Sequence, residues 1–331
     1  MPGLLSTLRA QATAVDTLRR ALATDRVHHA YLFDGPNGVG KELAAFGLAQ
    51  ALVCERREPG NPSACGECRA CVRAVPRPGE ARPVHPDVVV LERGLYEPAT
   101  IGRRTPETQD LSIDQVRTLV LARAAFPPHE GRAKVFIVRR AEEMNQAAAN
   151  ALLKTLEEPG PRTHFVLLSA VGDSLLPTIR SRTQRVRFGA LPDDVVEGLL
   201  TERGVEGAAA IARLAGGSMA VALDLGDPEA TARREEFVGR ALAAVEARDL
   251  EGGLALAEEA KKVGKEASML HLEALAAAFA TRAREAASNA GRAADVATLR
   301  HGLALAAVEQ IDANASTQLA MEAMFIRLRA V

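Results

Sequence analysis

The fold of this chain is set first by a glycine-rich loop at residues 35–41. The loop reads Gly-Pro-Asn-Gly-Val-Gly-Lys, follows the apolar run 30–33 and precedes a helical pattern over residues 43–52. A strand, a glycine loop and a helix in this order form a phosphate-binding loop, whose backbone amides and lysine hold the phosphates of a nucleotide. We therefore expect an α/β nucleotide-binding fold. The candidate phosphate-binding residues are Gly35, Gly38, Gly40 and Lys41.

Two departures from the usual chemistry of such a loop argue against hydrolysis. Position 42 normally holds a Ser or Thr hydroxyl that ligates Mg²⁺, and this chain has Glu42 there. The apolar run 134–138 should be followed by acidic residues for the metal and the attacking water, but Arg139 and Arg140 follow it. We treat the two losses as independent and expect them to prevent turnover, while Lys41 still permits nucleotide binding.

The charges around the second departure leave alternatives open. Arg139 and Arg140 are expected in solvent beyond the strand end, or in a salt bridge to Glu142 or Glu143. An active ATPase would need Glu142 as a displaced metal ligand, and this is the rival function.

The four cysteines of the chain lie within eighteen residues, in the spacing C-x10-C-x2-C-x2-C. Thiolates at such spacing can point at one tetrahedral ion, so the pattern predicts a structural zinc site with all four positions occupied. Redox chemistry and an iron–sulfur cluster are the alternatives, but nothing else in the sequence indicates electron transfer. His85 is the next candidate ligand, and we expect it to be a bystander. The predicted zinc ligands are Cys54, Cys65, Cys68 and Cys71.

Length and charge narrow the class of protein. The 331 residues exceed one ordinary domain, and an apolar content of 47% is enough for real cores. The net charge of −1, from 41 basic and 42 acidic side chains, excludes a chain that binds nucleic acid as a polycation over its whole length. No run of about 18 or more apolar residues occurs, and the N-terminus lacks a basic region before a long apolar core. We therefore expect a cytoplasmic protein.

A nucleic-acid-binding role for the cysteine segment is a third candidate function. Arg56, Arg57, Arg69 and Arg73 could contact phosphates there. Because no aromatic residue alternates with these arginines for base stacking, we rank this role last.

Buried strands alternate with helical patterns as far as residue 190. Besides the strand before the glycine loop, short buried strands are predicted at residues 88–91, 134–138, 164–169 and 184–188. Continuous apolar runs between helices are typical of parallel strands that are covered on both faces. The alternation predicts a doubly wound parallel sheet.

Two helices of this region have recognisable starts. Ser112 precedes one helical pattern and is its expected N-cap, and Asn145 is the expected N-cap of the next. The second helix carries Ala148, Leu152 and Leu156 on one stripe, and a Pro-Gly pair ends it.

Beyond residue 190 the sequence is helical in pattern throughout. Residues 191–228 predict a small helical unit, and residues 229–331 predict four or five helices rich in Ala and Leu. The predicted fold class is thus α/β plus all-α, with the sheet domain at residues 1–190, and such helical bundles commonly mediate assembly. The residues with core-like helical spacing are Leu299, Leu303, Ala307 and Ile311, and then Leu319, Met324 and Leu328.

Two further motifs resemble the clamp-loader branch of the AAA+ proteins. They are residues 144–159, Met-Asn-Gln-Ala-Ala-Ala-Asn-Ala-Leu-Leu-Lys-Thr-Leu-Glu-Glu-Pro, and residues 177–182, Pro-Thr-Ile-Arg-Ser-Arg. The resemblance covers nearly the whole chain and implies an AAA+ P-loop domain with an inserted zinc knuckle at about 54–71, a helical lid and a C-terminal helical collar. In the tail, Asn314 with Leu319 and Glu322 is similar to the last collar helix of that family.

Within that branch, the chain resembles the subunit type that does not hydrolyse ATP, because the gamma and tau subunits carry intact Walker motifs. The lid also has Ala220, close to Ser218, where the family's sensor arginine is expected. The resemblance implies a subunit that helps to load the sliding clamp onto primed DNA while its neighbours hydrolyse ATP.

The Ser-Arg motif implies how such a subunit contributes. Arg182 is the candidate arginine finger, positioned by Ser181 and acting in trans on ATP bound by a neighbouring gamma or tau subunit. The family usually has Cys at the next position, and Thr183 stands there. Without the resemblance, the arginines of this segment would be interpreted as an ordinary solvated basic face; they are Arg180, Arg182, Arg185 and Arg187.

The partners follow from the same resemblance. They are the gamma or tau and delta subunits of a hetero-pentameric clamp loader, the sliding clamp, and primed DNA through the complex, with single-strand-binding machinery as a further candidate. The only cofactor expected to be permanent is structural Zn²⁺, and any bound nucleotide is expected to remain unhydrolysed.

Overall fold

A computed structural model describes residues 3–107, 110–247, 249–287, 292–313 and 315–331. The chain divides into two compact units, of which the first ends at Leu223 and the second begins at Asp224. The predicted limits near residues 190 and 228 concern a finer division into three parts and stay a prediction. Asn314 of the predicted collar segment lies outside the described residues.

A five-stranded parallel sheet forms the centre of the first unit. Its strands are β1 (Ala30–Asp34), β2 (Val88–Leu91), β3 (Lys134–Val138), β4 (Thr163–Ser169) and β5 (Gln184–Arg187). They pair in the order β2–β3–β4–β1–β5, and each neighbouring pair is parallel. The predicted parallel sheet is confirmed, and β1 to β4 are buried between helical layers. The prediction that the last strand is buried was wrong, because β5 lies at the edge of the sheet and three of its four residues are exposed.

Helices precede, separate and follow the strands of this unit. They are α1 (Ala12–Ala23), α2 (Lys41–Val53), α3 (Arg69–Arg73), α4 (Ile113–Gln115), α5 (Ala122–Ala124), α6 (Gln146–Glu157), α7 (Pro177–Arg180), α8 (Asp193–Thr201), α9 (Ala208–Leu214) and α10 (Met219–Gly226). A π-helical segment, Val116–Leu121, joins α4 to α5.

The core of the first unit lies on both faces of the sheet. On one face, Tyr31 and Phe33 of β1 pack in a cluster that includes residues of α1, α2 and α3. On the other face, Leu32 packs with Phe136, Phe165 and apolar residues of α6. Successive β1 side chains alternate between the two clusters, as the period of two in a strand requires.

The two predicted N-caps are present. Asn145 Oδ1 accepts a hydrogen bond from the Ala148 amide at 2.8 Å, and Ser112 Oγ accepts one from the Gln115 amide at 3.4 Å. Each cap satisfies an amide that has no partner inside the first turn of its helix.

The second unit is helical, as predicted. Its helices beyond α10 are α11 (Pro228–Ala247), α12 (Leu250–Val263), α13 (Lys265–Ala287), α14 (Arg292–Asp312) and α15 (Thr317–Ala330). Their core includes Phe237, Leu275, Phe279, Met324 and Leu328. Among the described residues, no helix is both long and apolar enough to cross a membrane.

Part of the predicted collar stripe was wrong. Ala307, Ile311 and Met324 are buried, but Leu299 is 52% exposed and Leu319 is 63% exposed. Each four-residue step rotates a position by about 40° around the helix, so three such steps place Leu299 about 120° from Ile311. Leu319 is five residues before Met324, which places it about 140° from that buried residue.

Candidate functional site

The phosphate loop connects β1 to α2 and is shaped by its glycines. Gly35 and Gly38 have positive φ values of 151° and 74°. A Cβ at Gly35 would lie 2.1 Å from the Phe188 carbonyl oxygen, and one at Gly38 would lie 2.4 Å from Ser218 Oγ. The loop therefore needs glycine at both positions, for conformation and for space.

Lys41 is folded into this loop. Lys41 is only 7% exposed. Its Nζ donates one hydrogen bond to the Pro36 carbonyl oxygen, at 2.6 Å, and another to the Gly35 carbonyl oxygen. Burial lowers the pKa of Lys41 to about 8, although the carboxylates of Glu142 and Asp34 partly offset this effect. The loop keeps its cation and, with it, the shape of a phosphate site.

Arg139 pairs directly with Glu42, and the expectation that it lies in solvent was wrong. Its Nη2 forms an ion pair with Glu42, and its Nη1 lies 2.8 Å from Glu92 Oε2. The Arg139 side chain is only 12% exposed. Burial works against its charge, but Glu42 and Glu92 more than compensate and raise the pKa of Arg139.

This pairing joins the two sequence departures that we treated as independent. Glu42 and Arg139 are 97 positions apart, and β3 ends just before Arg139 while α2 begins just before Glu42. Sequence reasoning missed Glu92, the third member. A signal was available, because Glu92 is an acidic residue directly after the apolar strand β2, and β2 pairs with β3, which Arg139 follows.

The displaced acidic residues lie close by. Arg140 is left-handed, with φ of 47°, and its Nη1 lies 3.6 Å from Glu143 Oε1, the partner that the sequence had offered. Glu142 Oε1 accepts a hydrogen bond from the Ala170 amide at 3.2 Å, just beyond β4. Glu142 Oε2 is buried and has no hydrogen-bond partner among the described residues.

The start of α10 packs on the phosphate loop. The Met219 amide donates to the Gly38 carbonyl oxygen at 3.0 Å. Ser218 and Ala220 are the residues that a Cβ added at Gly38 would contact. Ala220 thus stands beside the loop with a side chain too short to reach a phosphate, at the position where the family resemblance implies an arginine.

The candidate finger, Arg182, follows α7 and is held on the surface. Its Nη1 donates to the Thr178 carbonyl oxygen at 2.9 Å and to Ser181 Oγ at 3.3 Å, and its Nη2 forms an ion pair with Glu157. The side chain is 33% exposed. Ser181 therefore contacts Arg182 as expected, whereas its partner Glu157, at the end of α6, was not foreseen although the motif contains it.

The neighbouring arginines do not form a simple solvated face. Arg180 lies 3.1 Å from Asp173, and Arg185 lies 2.9 Å from the same carboxylate while also pairing with Asp34. Asp34 in turn accepts the Gly172 amide at 2.8 Å. Arg185 ties β5 to the end of β1 through Asp34, Arg180 and Arg185 share the Asp173 carboxylate, and Arg187 is exposed.

The four cysteines converge after α2 and around α3. Their sulfur atoms all lie within 4.8 Å of one another, with Cys54–Cys65 at 3.7 Å and Cys65–Cys71 at 3.9 Å. A tetrahedral zinc ion with bonds of about 2.3 Å would set the sulfur atoms about 3.8 Å apart. The predicted ligand set is thus assembled and can hold a metal, while zinc itself stays a prediction.

Backbone amides support this cluster. The amides of Cys65, Cys68 and Cys71 donate to the sulfur atoms of Cys54, Cys65 and Cys68, at 3.5, 3.3 and 3.4 Å. Burial disfavours the Cys65 thiolate, but amide and thiol donors outweigh it and lower the pKa of Cys65 to about 6. His85 is not part of the cluster among the described residues; its Nδ1 accepts the Asp87 amide at 3.1 Å.

A family model described as "DNA polymerase III, delta subunit" matches residues 10–192. Among curated proteins, "DNA polymerase III subunit delta'" of Pseudomonas aeruginosa is 42% identical over 46% of this chain and 41% of its own length. The delta' subunit of Bacillus subtilis is 33% identical over 59% of this chain and 52% of its own length.

Gamma/tau proteins match the same part of the chain. "DNA polymerase III subunit gamma/tau" of Mycobacterium bovis is 37% identical over 54% of this chain and 28% of its own length. The chain thus spans about a quarter to about half of the length of these relatives. Among solved structures, a gamma subunit-related protein of Thermotoga maritima covers 95% of this chain and 98% of its own length, with 18% identity and a TM-score of 0.45.

Proposed function

Because this chain belongs to the DNA polymerase III, delta subunit family of clamp-loader AAA+ proteins, we propose that it is a delta prime subunit that does not hydrolyse ATP. In this role it helps to load a sliding clamp onto primed DNA, and it donates Arg182 to the ATP site of a neighbouring gamma or tau subunit.

The observation that carries the proposal is the ion pair between Glu42 and Arg139, with Glu92 as the second carboxylate. In a working site, a hydroxyl after the lysine and an acidic residue after β3 hold Mg²⁺ on the phosphates. Here a guanidinium stands after β3 and is already neutralised by two carboxylates. A divalent cation would have to displace a partly buried cation from its partners, so metal-dependent hydrolysis is strongly disfavoured.

The position of Arg182 suits a group that acts outside its own chain. Its side chain is partly exposed, and its hydrogen bonds to Thr178 and Ser181 fix the direction of the guanidinium. Glu157 balances its charge in the isolated chain. A phosphate of a bound ATP can replace that carboxylate, since arginine forms similar paired hydrogen bonds with both.

The remaining parts have supporting roles in this proposal. Four thiolates complete a tetrahedral zinc ion and leave no open position for catalysis, so we assign the zinc to structure. The helices of the second unit join the gamma or tau and delta subunits, as bundles of this kind commonly do in assemblies.

ATP turnover tests the proposal. We expect the purified chain to be silent alone, and a complex with gamma or tau, delta, clamp and primed DNA to hydrolyse ATP. Arg182→Ala should then lower turnover at the site that it serves on the order of 1,000-fold, because a trans arginine stabilises charge on the transferring phosphate.

Arg187→Ala is the matched control, since Arg187 is an exposed arginine of the same segment. Steady hydrolysis by the isolated chain would overturn the non-catalytic assignment. If the Arg182→Ala and Arg187→Ala complexes assemble normally and are equally active, Arg182 is not an arginine finger, and the non-catalytic assignment is unaffected.

One observation favours the rival function, an active clamp-loader ATPase. Glu142 has a buried oxygen with no hydrogen-bond partner among the described residues, and its charge acts on Lys41. A carboxylate so placed could serve as a displaced metal ligand. In that case the isolated chain would hydrolyse ATP, and Glu142→Gln would abolish the activity.

A further inference from the structure

A cavity of about 490 Å³ opens at the edge of the sheet opposite to the phosphate loop. Ala133, Arg162 and His164 line it, at the starts of β3 and β4. The phosphate loop instead follows the end of β1, and because all five strands are parallel, starts and ends lie at opposite edges. The volume falls within the roughly 300–1,000 Å³ of small-molecule sites.

The lining of this cavity carries excess positive charge. Arg57, Arg132 and Arg162 line it, and Asp25 is its one acidic lining residue. Arg57 Nη2 lies 3.6 Å from Asp25 Oδ1, but the Asp25 side chain is 81% exposed. A long contact to a solvated carboxylate neutralises little of that charge.

Two of the arginines are held by backbone carbonyl groups. Arg132 Nη1 donates to the Arg57 carbonyl oxygen at 2.5 Å, and its Nη2 donates to that of Glu55 at 3.2 Å. Arg57 Nη1 donates to the Leu22 carbonyl oxygen at 3.2 Å, while its Nε is buried without a hydrogen-bond partner in the described part of the chain. Carbonyl groups carry no net charge, so they fix the guanidinium groups in place without neutralising them, and the long contact to Asp25 offsets little of the charge of Arg57.

Arg162 adds a third charge from a strained turn. Its φ is 59°, in the left-handed region that a residue with a side chain rarely occupies. The turn is secured by the Lys134 amide, which donates to the Arg162 carbonyl oxygen at 2.9 Å. Within the described ranges the exposed Arg162 side chain makes no ion pair.

We propose that this cavity binds a phosphate group, carried by a small ligand or by the end of a nucleic acid strand, through Arg57, Arg132 and Arg162. The fork of Arg162 can match phosphate oxygens in pairs, while Arg57 and Arg132, whose Nη groups donate to backbone carbonyl oxygens, add positive charge at the same opening. Val27, Leu52 and Pro59 form an apolar wall against which the rest of the ligand packs. His164 Nδ1 donates to the His28 carbonyl oxygen at 3.1 Å, so Nε2 of the neutral ring can only accept a hydrogen bond, and the phosphate contacts are assigned to the arginines alone.

Calorimetric titration of the full-length, zinc-loaded chain tests this site. The probes are inorganic phosphate, pyrophosphate and AMP for a free ligand, and one short single-stranded oligonucleotide with and without a 5′-phosphate for a strand end. We expect saturable binding of at least one phosphorylated probe. A preference for the phosphorylated oligonucleotide over pyrophosphate and AMP assigns the strand end, and the reverse assigns the free ligand.

Arg162→Gln should weaken this binding on the order of tenfold, since it removes charge-assisted hydrogen bonds from a side chain that stabilises nothing else described. Arg162→Lys should lose less, because it keeps the charge without the fork. Arg56→Gln is the matched control, because Arg56 is exposed nearby and does not line the cavity. Lys41→Met separates the cavity from the phosphate loop.

Binding that falls in Arg162→Gln and persists in Arg56→Gln and Lys41→Met supports the proposal. It is overturned if no phosphorylated probe binds, if Arg56→Gln weakens binding as much as Arg162→Gln, or if binding depends on Lys41 and not on Arg162. Thermal unfolding of each variant shows that its fold is intact.

Discussion

The phosphate loop and the four-cysteine knuckle differ in how the charges of their side chains are balanced. At the loop, Arg139 brings a cation to the end of β3, and Glu42 and Glu92 neutralise it from within the chain. At the knuckle, four sulfur atoms within 4.8 Å of one another receive only weak hydrogen bonds from amides and thiols. One site holds an ion pair where a hydrolysing site would hold Mg²⁺, and the other brings together four side chains that can bind a metal.

The two sites differ in what their residues still provide: the loop has the shape of a phosphate site, and the knuckle has side chains that can bind a metal. At the loop, Gly35 and Gly38 lie so close to Phe188 and Ser218 that a side chain at either position would clash. At the knuckle, Cys54, Cys68 and Cys71 are buried in the core of the first unit, and four thiols in this arrangement are best satisfied by a metal. We therefore expect metal to matter at the knuckle and not at the loop.

The largest expected effect is at the knuckle. Cys71→Ser should abolish stoichiometric zinc binding and lower the free energy of unfolding by at least about 3 kcal/mol, because a buried core position loses its metal. Zinc content and thermal unfolding measure both. His85→Gln should keep the full zinc content, and a metal-free wild-type chain as stable as the zinc-loaded one would contradict the expectation.

The ion pair at the loop should give a smaller, measurable coupling. In a double-mutant cycle of Glu42→Gln and Arg139→Gln, we expect a coupling free energy of about 1–2 kcal/mol, because Arg139 is largely buried while Glu42 is half exposed. The fully surface pair Arg9–Glu202 is the control and should show at most about 0.5 kcal/mol. Additive effects of the two loop mutations would mean that the departures are independent after all.

The smallest effect should come from the pH dependence of Lys41. Its pKa is about 8 in the folded chain, against an ordinary value of 10.5, because burial disfavours the ammonium. Between these values the unfolded chain holds the proton and the folded chain does not, so stability should rise with pH across this window.

Urea unfolding of wild type and Lys41→Met between pH 7 and 9 measures this effect. Over that range the wild type should gain about 1 kcal/mol over the variant as the pH rises. A pH-independent difference between the two chains would show that Lys41 is not held in the buried loop position.

Much of the first unit could be predicted because its signals are local. The predicted strands agree with the observed ones to within one residue, and the caps Asn145 and Ser112 marked the start of their helices. The motifs at residues 144–159 and 177–182 indicated the family, and the match over residues 10–192 confirms it. The collar stripe was less accurate, because Leu299 and Leu319 keep helical spacing but lie outside the core.

Partners across the chain were harder to foresee. Arg139 was expected in solvent or next to Glu142 or Glu143, and Arg185 was interpreted as part of a basic face, whereas it pairs with Asp34 and Asp173. Which of these charges form ion pairs cannot be inferred from the sequence alone, because the ends of neighbouring strands are brought together only when the sheet forms. Candidate residues could therefore be named from the sequence, but their partners could not.

The sequence by itself determined the glycine loop, the strand and helix starts and the convergence of four closely spaced cysteines, since each depends on residues near one another along the chain. Only the tertiary structure decided that Glu42 forms an ion pair with Arg139, 97 positions away, and that Arg182 forms an ion pair with Glu157. The physical reason is the parallel sheet, which aligns the ends of strands that are distant in sequence and brings their flanking charges within reach of one another.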